Sequence, residues 1–116
     1  MGRRLSANVR TIDGVTVLSL GGTLDAQLVE DLEGSLAEVW EGSVLVVLDL
    51  DGLHAISSAG AGALVVAQRE AERRGGALVV ARPTPPVLHV LTTLGLHTMF
   101  AIEETLEGAI RALQRA

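Results

Sequence analysis

The sequence predicts a single α/β domain over residues 1–116, with a mixed sheet of about five strands and about four helices. Three observations carry that expectation. Short apolar runs alternate with stretches of helical periodicity along the chain. Three strand-then-helix crossings imply parallel pairing, because parallel neighbours need a crossover connection. An Asp13-Gly14 pair between the first two apolar segments reads as a tight hairpin turn, so the sheet opens antiparallel.

Each element follows in order. Leu5, Ala7, Val9 and Thr11 alternate with polar residues, the pattern of a half-exposed strand. Val15–Leu20 is the returning strand, broken by Gly21-Gly22, with Asp25 placed to cap a helix. Leu28, Val29, Leu32, Leu36 and Val39 recur at helical spacing, while Glu30, Asp31, Glu33 and Glu38 fall mostly on other faces. Trp40 ends this helix as a core or rim anchor. Val44–Leu48 is a continuous β-branched run, expected in the centre of the sheet and covered on both faces. A helix from about Ser58 to Arg74 has Leu64, Val65, Gln68 and Ala71 on one face and stops at Gly75-Gly76. Ala77–Ala81 is another buried strand. Pro83-Thr84-Pro85-Pro86 is a loop in which Thr84 caps a short helix and Pro85 takes its first position. Met99–Ile102 is a short strand, and Thr105–Arg115 a last amphipathic helix.

Composition excludes several classes of function. The chain has 48% hydrophobic and 20% charged residues, too apolar for disorder. It has no cysteine, which removes disulfides and thiolate metal sites and suits a reducing cytoplasm. No apolar segment follows Met1-Gly2-Arg3-Arg4, so no signal peptide is expected, and Val44–Leu50 is too short to cross a bilayer. Net charge is −5 and the aromatics are Trp40 and Phe100 alone, so the basic stripe and stacking platforms of a nucleic-acid binder are missing. An acidic domain of this kind is suited to a protein partner with basic patches.

Conventional catalytic constellations are absent as well. His54 precedes a serine pair but has no nucleophile-elbow motif and no orienting acid, and it reads as a solvated loop histidine. His89 on a short helix and His97 in a loop read as surface residues. Asp49 and Asp51 have D-x-D spacing, yet no further ligand pattern accompanies them, and they read as caps of the strand end and its loop. Neither Gly21-Gly22-Thr23 nor Gly60-Ala61-Gly62 has the Lys-Ser/Thr pair of a phosphate-binding loop. No enzyme activity, metal or cofactor is expected.

The segment that stands out is Ser57-Ser58-Ala59-Gly60-Ala61-Gly62. Two hydroxyls sit where a helix begins, with small residues behind them. One reading is an ordinary serine cap, with Gly60 and Gly62 allowing close packing on the sheet. The other is a modification site, since a helix N-terminus favours an added anion. The residues alone leave both readings open, and leave open which serine would carry the anion.

In these residues the chain resembles the STAS domain, specifically the bacterial anti-sigma factor antagonists. The resemblance covers nearly all of it. It is carried by Val17–Asp25, Val46–Leu53, Ile56–Leu64, Pro85–Leu91 and Leu94-Gly95-Leu96. In that family the loop-to-helix motif reads D-S-S/T-G-L-G, and its first serine is phosphorylated by a partner that is both anti-sigma factor and serine kinase. Aligned here, the aspartate falls on Ser57, the target serine on Ser58, the second hydroxyl on Ala59 and the leucine on Ala61. The glycines fall on Gly60 and Gly62, and the family's aspartate after the second strand on Asp25. Ala61 thus implies loss of an exposed apolar anchor.

The resemblance implies an anti-sigma factor antagonist that works by partner switching. Unmodified protein binds the anti-sigma kinase, and phosphorylation at Ser58, or less readily Ser57, releases it. The implied binding surface is Thr23, Asp25, Ser57, Ser58, Ala59, Gly60, Ala61 and Gly62. A phosphatase acting on phosphoserine would complete the cycle, in a cytoplasmic monomer. The alternatives are an unphosphorylated subunit or scaffold of a transport or stress-signalling complex, and a domain that senses a small molecule or nucleotide.

Overall fold

The computed structural model describes residues 5–115. Five strands form one sheet in the order β1-β2-β3-β4-β5: β1 Ser6–Ile12, β2 Val15–Leu24, β3 Leu45–Ile56, β4 Ala77–Ala81 and β5 Ala101–Glu103. The β1–β2 pair is antiparallel and every later pair is parallel. At the hairpin, Asp13 (φ 52°) and Gly14 (φ 81°) both take positive φ, as a two-residue primed turn requires.

Four α-helices accompany the sheet: α1 Val29–Trp40, α2 Ser58–Arg73, α3 Pro85–Thr93 and α4 Leu106–Gln114. Single 3-10 turns precede α1 (Ala26–Leu28) and β5 (Leu96–Thr98). The strand order dictates where the helices go. Right-handed crossovers that step in one direction along a sheet place every connecting helix on the same face. Accordingly α1, α2 and α3 cover one face, burying Leu32, Leu36, Leu64, Ala67, Val87 and Leu91 against Leu18, Val46, Leu48 and Val80. The opposite face is left to α4, whose Ala109, Ile110 and Leu113 pack on Val15, Val17, Val47 and Val79. Both faces of β3 are therefore covered, which explains its unbroken apolar run.

The structure corrects three expected boundaries and one expected cap. Gly21-Gly22 does not end β2, which continues to Leu24 through register shifts on either side of the glycines. β3 likewise runs to Ile56, because this second half of β2 gives it a partner: Gly21 pairs with Gly52, Thr23 with Ala55 and Leu24 with Ile56. The pairing is tight, since a Cβ on Gly52 would lie 3.2 Å from the Leu20 carbonyl oxygen. His54 consequently lies on a strand, not in a loop. The last strand is Ala101–Glu103 and not Met99–Ile102, because a 3-10 turn takes up Leu96–Thr98. Thr84 precedes α3, but its hydroxyl donates to the Leu53 carbonyl at 2.7 Å and does not cap the helix.

Candidate functional site

The serine pair lies where β2 and β3 end side by side. The Leu24–Ile56 pair is the last of their ladder, and the Ser57 N–H donates to the Leu24 carbonyl at 3.0 Å, closing the junction. The next residue on one chain segment is Asp25, and on the other Ser58. Two parallel strand ends thus bring Asp25 to the serine pair from 33 positions away in sequence.

The two hydroxyls have different work. Ser57 has an extended backbone (φ −92°, ψ 172°), and its Oγ accepts from the Gly60 N–H at 3.1 Å. It is the N-cap of α2, occupying the place an aspartate could fill equally well. Ser58 is the first helical residue and is exposed, and among the described residues its hydroxyl has no hydrogen-bond partner. The first turn of α2 carries no acidic residue, so nothing there offsets the partial positive charge of the helix start.

Gly60 fixes how closely the helix approaches the sheet. A methyl group at Gly60 would overlap the Leu24 carbonyl oxygen and lie 3.0 Å from Ile56 Cγ1. Close packing thus accounts for Gly60 but not for Gly62, which is exposed with nothing within 4 Å of a Cβ. Ala61 has 0% exposure and belongs to the core. Its expected place on a partner surface is therefore corrected, because that position of α2 faces the sheet. Gly60 is buried for the same reason, so the accessible part of the segment is Ser57, Ser58, Ala59 and Gly62. Thr23 is half-buried in the β2–β3 ladder, and Asp25 caps the 3-10 turn, accepting from the Gln27 N–H at 3.1 Å.

The other candidates separate from this site. Asp49 is 3% exposed and accepts from Arg82 Nη2 at 2.6 Å, Arg82 Nε at 3.1 Å, Ser19 Oγ at 3.3 Å and the Asp51 N–H at 3.2 Å. It anchors a part-buried ion pair and does not merely cap a strand end. Burial alone would raise its pKa. The Arg82 guanidinium, helped by the Asp51 amide and the Ser19 hydroxyl, outweighs that and holds the carboxyl below its ordinary 3.8. Asp51 is exposed and lies 4.0 Å from Arg82 Nη1. Arg82 itself has a left-handed backbone (φ 53°) and donates its N–H to the Glu103 carbonyl. Sequence reasoning missed Arg82. The available signal was Asp49 itself, a carboxylate inside an apolar strand, which demands a cationic partner.

His54, His89 and His97 are exposed, and among the described residues none hydrogen-bonds to Ser57 or Ser58. Among the described residues no three His, Cys, Asp or Glu side chains converge as a metal site. Among the described residues no helix is long and apolar enough to cross a membrane.

Comparison with known proteins gives this geometry a family. The STAS domain pattern matches residues 6–109. The chain is 33% identical over 106 residues to BtrV of Bordetella bronchiseptica, named as a candidate anti-sigma factor antagonist, covering 90% of this chain and 91% of that one. It is 30% identical over 101 residues to the anti-sigma F factor antagonist of Lysinibacillus sphaericus, covering 84% and 86% respectively. The solved structure of an anti-sigma factor antagonist from Mycobacterium paratuberculosis has the same fold, with a TM-score of 0.85, 23% identity, and 95% and 94% of the chains covered. The match spans both strand ends, the serine pair and the first turn of α4; the chain belongs to the STAS domain family.

Proposed function

We propose that this protein is an anti-sigma factor antagonist that switches partners through phosphorylation of Ser58. Unmodified, it binds an anti-sigma factor that is also a serine kinase, through the surface around Asp25, Ser57, Ser58, Ala59 and Gly62. The sigma factor is thereby freed. The observation that supports this most is the division of labour in the serine pair: Ser57 is taken up as the cap, while Ser58 is exposed beside Asp25. The names of the two relatives point the same way.

The chemistry is a phosphoryl transfer to this chain as substrate. The Ser58 Oγ attacks the γ-phosphorus of ATP, the Oγ–P bond forms, the bond to the bridging oxygen breaks and ADP leaves. The hydroxyl proton passes to a base on the kinase. About −1.5 to −2 charge is added at the centre of the contact surface. The start of α2 accommodates the anion through its exposed N–H groups and dipole, so the fold is kept. Toward the partner the same charge adds to that of Asp25, and a contact made to a neutral hydroxyl is lost. Hydrolysis by a phosphoserine phosphatase restores the binding form. In this reading the protein is a cytoplasmic regulatory module, a monomer with no cofactor and no catalysis of its own.

The test is incubation of the protein with ATP and anti-sigma serine kinases from the same organism, followed by mass spectrometry of the peptide that holds Ser57 and Ser58. Phosphate on Ser58, lost in Ser58→Ala, is expected. No phosphate on either serine overturns the reading.

A further inference from the structure

An open groove of about 530 Å³ runs between α1 and α2. Its cause is in the sequence of α2. Ala59, Ala63 and Ala67 recur at helical spacing along the side that faces α1, and such small side chains leave space between the two helices. Leu36 and Trp40 of α1 form the other wall, and Val66, 63% exposed, stands on the rim. The groove begins at Ala59, next to Ser58, and extends to Arg74, a helix length of about 22 Å.

The rim is acidic. Glu33 and Glu41 border the α1 side, and α1 also carries Glu30, Asp31 and Glu38 with no basic residue. Arg74, the one cation lining the groove among the described residues, is committed: it pairs with Glu70 at 2.5 Å and lies over the Trp40 ring at 5.6 Å. Glu70 is bound by Arg73 as well, and the two guanidinium groups hold its carboxyl down to about 2. Glu33 and Glu41 have no ion pair among the described residues. An apolar floor bordered along the α1 side by unneutralised carboxylates fits one kind of occupant best, a helix with an apolar stripe and lysine or arginine along the edge that meets α1.

We infer that the α1–α2 groove is a docking site for a basic amphipathic helix of a protein partner, contiguous with the Ser58 surface. The inference rests on the partner-switching reading only for who supplies that helix. The groove's preference is testable without kinase or phosphate, so the two stand or fall separately.

The experiment uses the full chain, labelled with ¹⁵N, and three synthetic peptides of about four helical turns. One is an amphipathic leucine–lysine helix, one has the same composition scrambled, and one is an amphipathic leucine–glutamate helix. The leucine–lysine helix should bind saturably, change Trp40 fluorescence, and shift the amide resonances of Ala59, Ala63 and Val66. The other two should bind at least about tenfold more weakly. The exposed double substitution Glu33→Gln with Glu41→Gln should weaken binding about threefold to tenfold. Val66→Ser should weaken it without changing charge. Glu104→Gln with Glu107→Gln, around the start of α4 on the other face of the sheet, should leave it unchanged.

The inference is overturned if the scrambled peptide binds as well, if the shifts fall outside the groove, or if the α4 pair matters as much as the groove pair. It is overturned equally if dodecanoate alone saturates Trp40 while the leucine–lysine helix does not bind, which would make the groove an acyl-chain site. In each of those cases phosphorylation of Ser58 would still stand or fail on its own assay.

Discussion

The Gly60 backbone lies against the Leu24 carbonyl so closely that a side chain at Gly60 would overlap the carbonyl oxygen, with the carbonyl carbon 3.0 Å away. The start of α2 is seated on the end of β2 by this contact. It sets the distance between the Ser58 hydroxyl and the loop that begins at Asp25. Gly60→Ala must therefore move the helix or the strand, at a cost of about 1–3 kcal/mol. We expect a lower Tm and, at temperatures where the variant is fully folded, slower modification of Ser58. A variant as stable as the parent would show that the close approach is not needed.

Ser57 and Ser58 are adjacent, but their substitutions should separate. Ser57→Ala removes the acceptor for the Gly60 N–H and should lower stability by about 1 kcal/mol. Ser57→Asp keeps the cap and should restore it. Ser58→Ala breaks no described hydrogen bond and should stay within about 0.5 kcal/mol of the parent. Chemical denaturation of the three variants tests the assignment. The roles are reversed if Ser58→Ala is the destabilising change.

Asp49 and Arg82 predict a pH signature. Arg82→Ala leaves a carboxylate on a residue 3% exposed without its main partner. Because the Arg82 side chain is 36% exposed, water can partly replace it, and a loss of about 1–3 kcal/mol at neutral pH is expected. In the parent the folded-state pKa of Asp49 lies below its ordinary 3.8. Its stabilisation is thus complete above that value and is lost as pH falls through the folded-state pKa. The difference in Tm between parent and Arg82→Ala should be largest near neutrality and shrink in acid. A difference independent of pH would mean that Arg82 acts by packing alone.

Much of this fold was legible in the sequence because local and tertiary signals agree. The Asp13-Gly14 turn, the apolar run of β3, the periodicity of α1 and α4, and the Gly75-Gly76 stop each read correctly from composition and spacing. The second halves of β2 and β3 did not. Gly21, Gly22 and Gly52 look like strand breakers, and only the pairing of the two segments with each other makes them strands. A pairing 31 residues apart leaves no mark on local periodicity. The site was half legible. Ser57, Ser58 and Asp25 could be named, and the cap is where it was expected. The burial of Ala61 was not visible, since a small apolar residue in the first turn of a helix fits either face. Arg82 escaped because it follows the end of β4, while its partner, Asp49, lies on β3.

The measurement that tests partner switching most directly is the affinity of an anti-sigma kinase that phosphorylates Ser58 for four forms of the protein, by calorimetry with ATP absent. Parent and Ser58→Ala should bind alike. Ser58→Asp and protein phosphorylated at Ser58 should bind at least about tenfold more weakly, with an unchanged circular dichroism spectrum. Equal binding by the phosphorylated and unmodified forms would contradict the account.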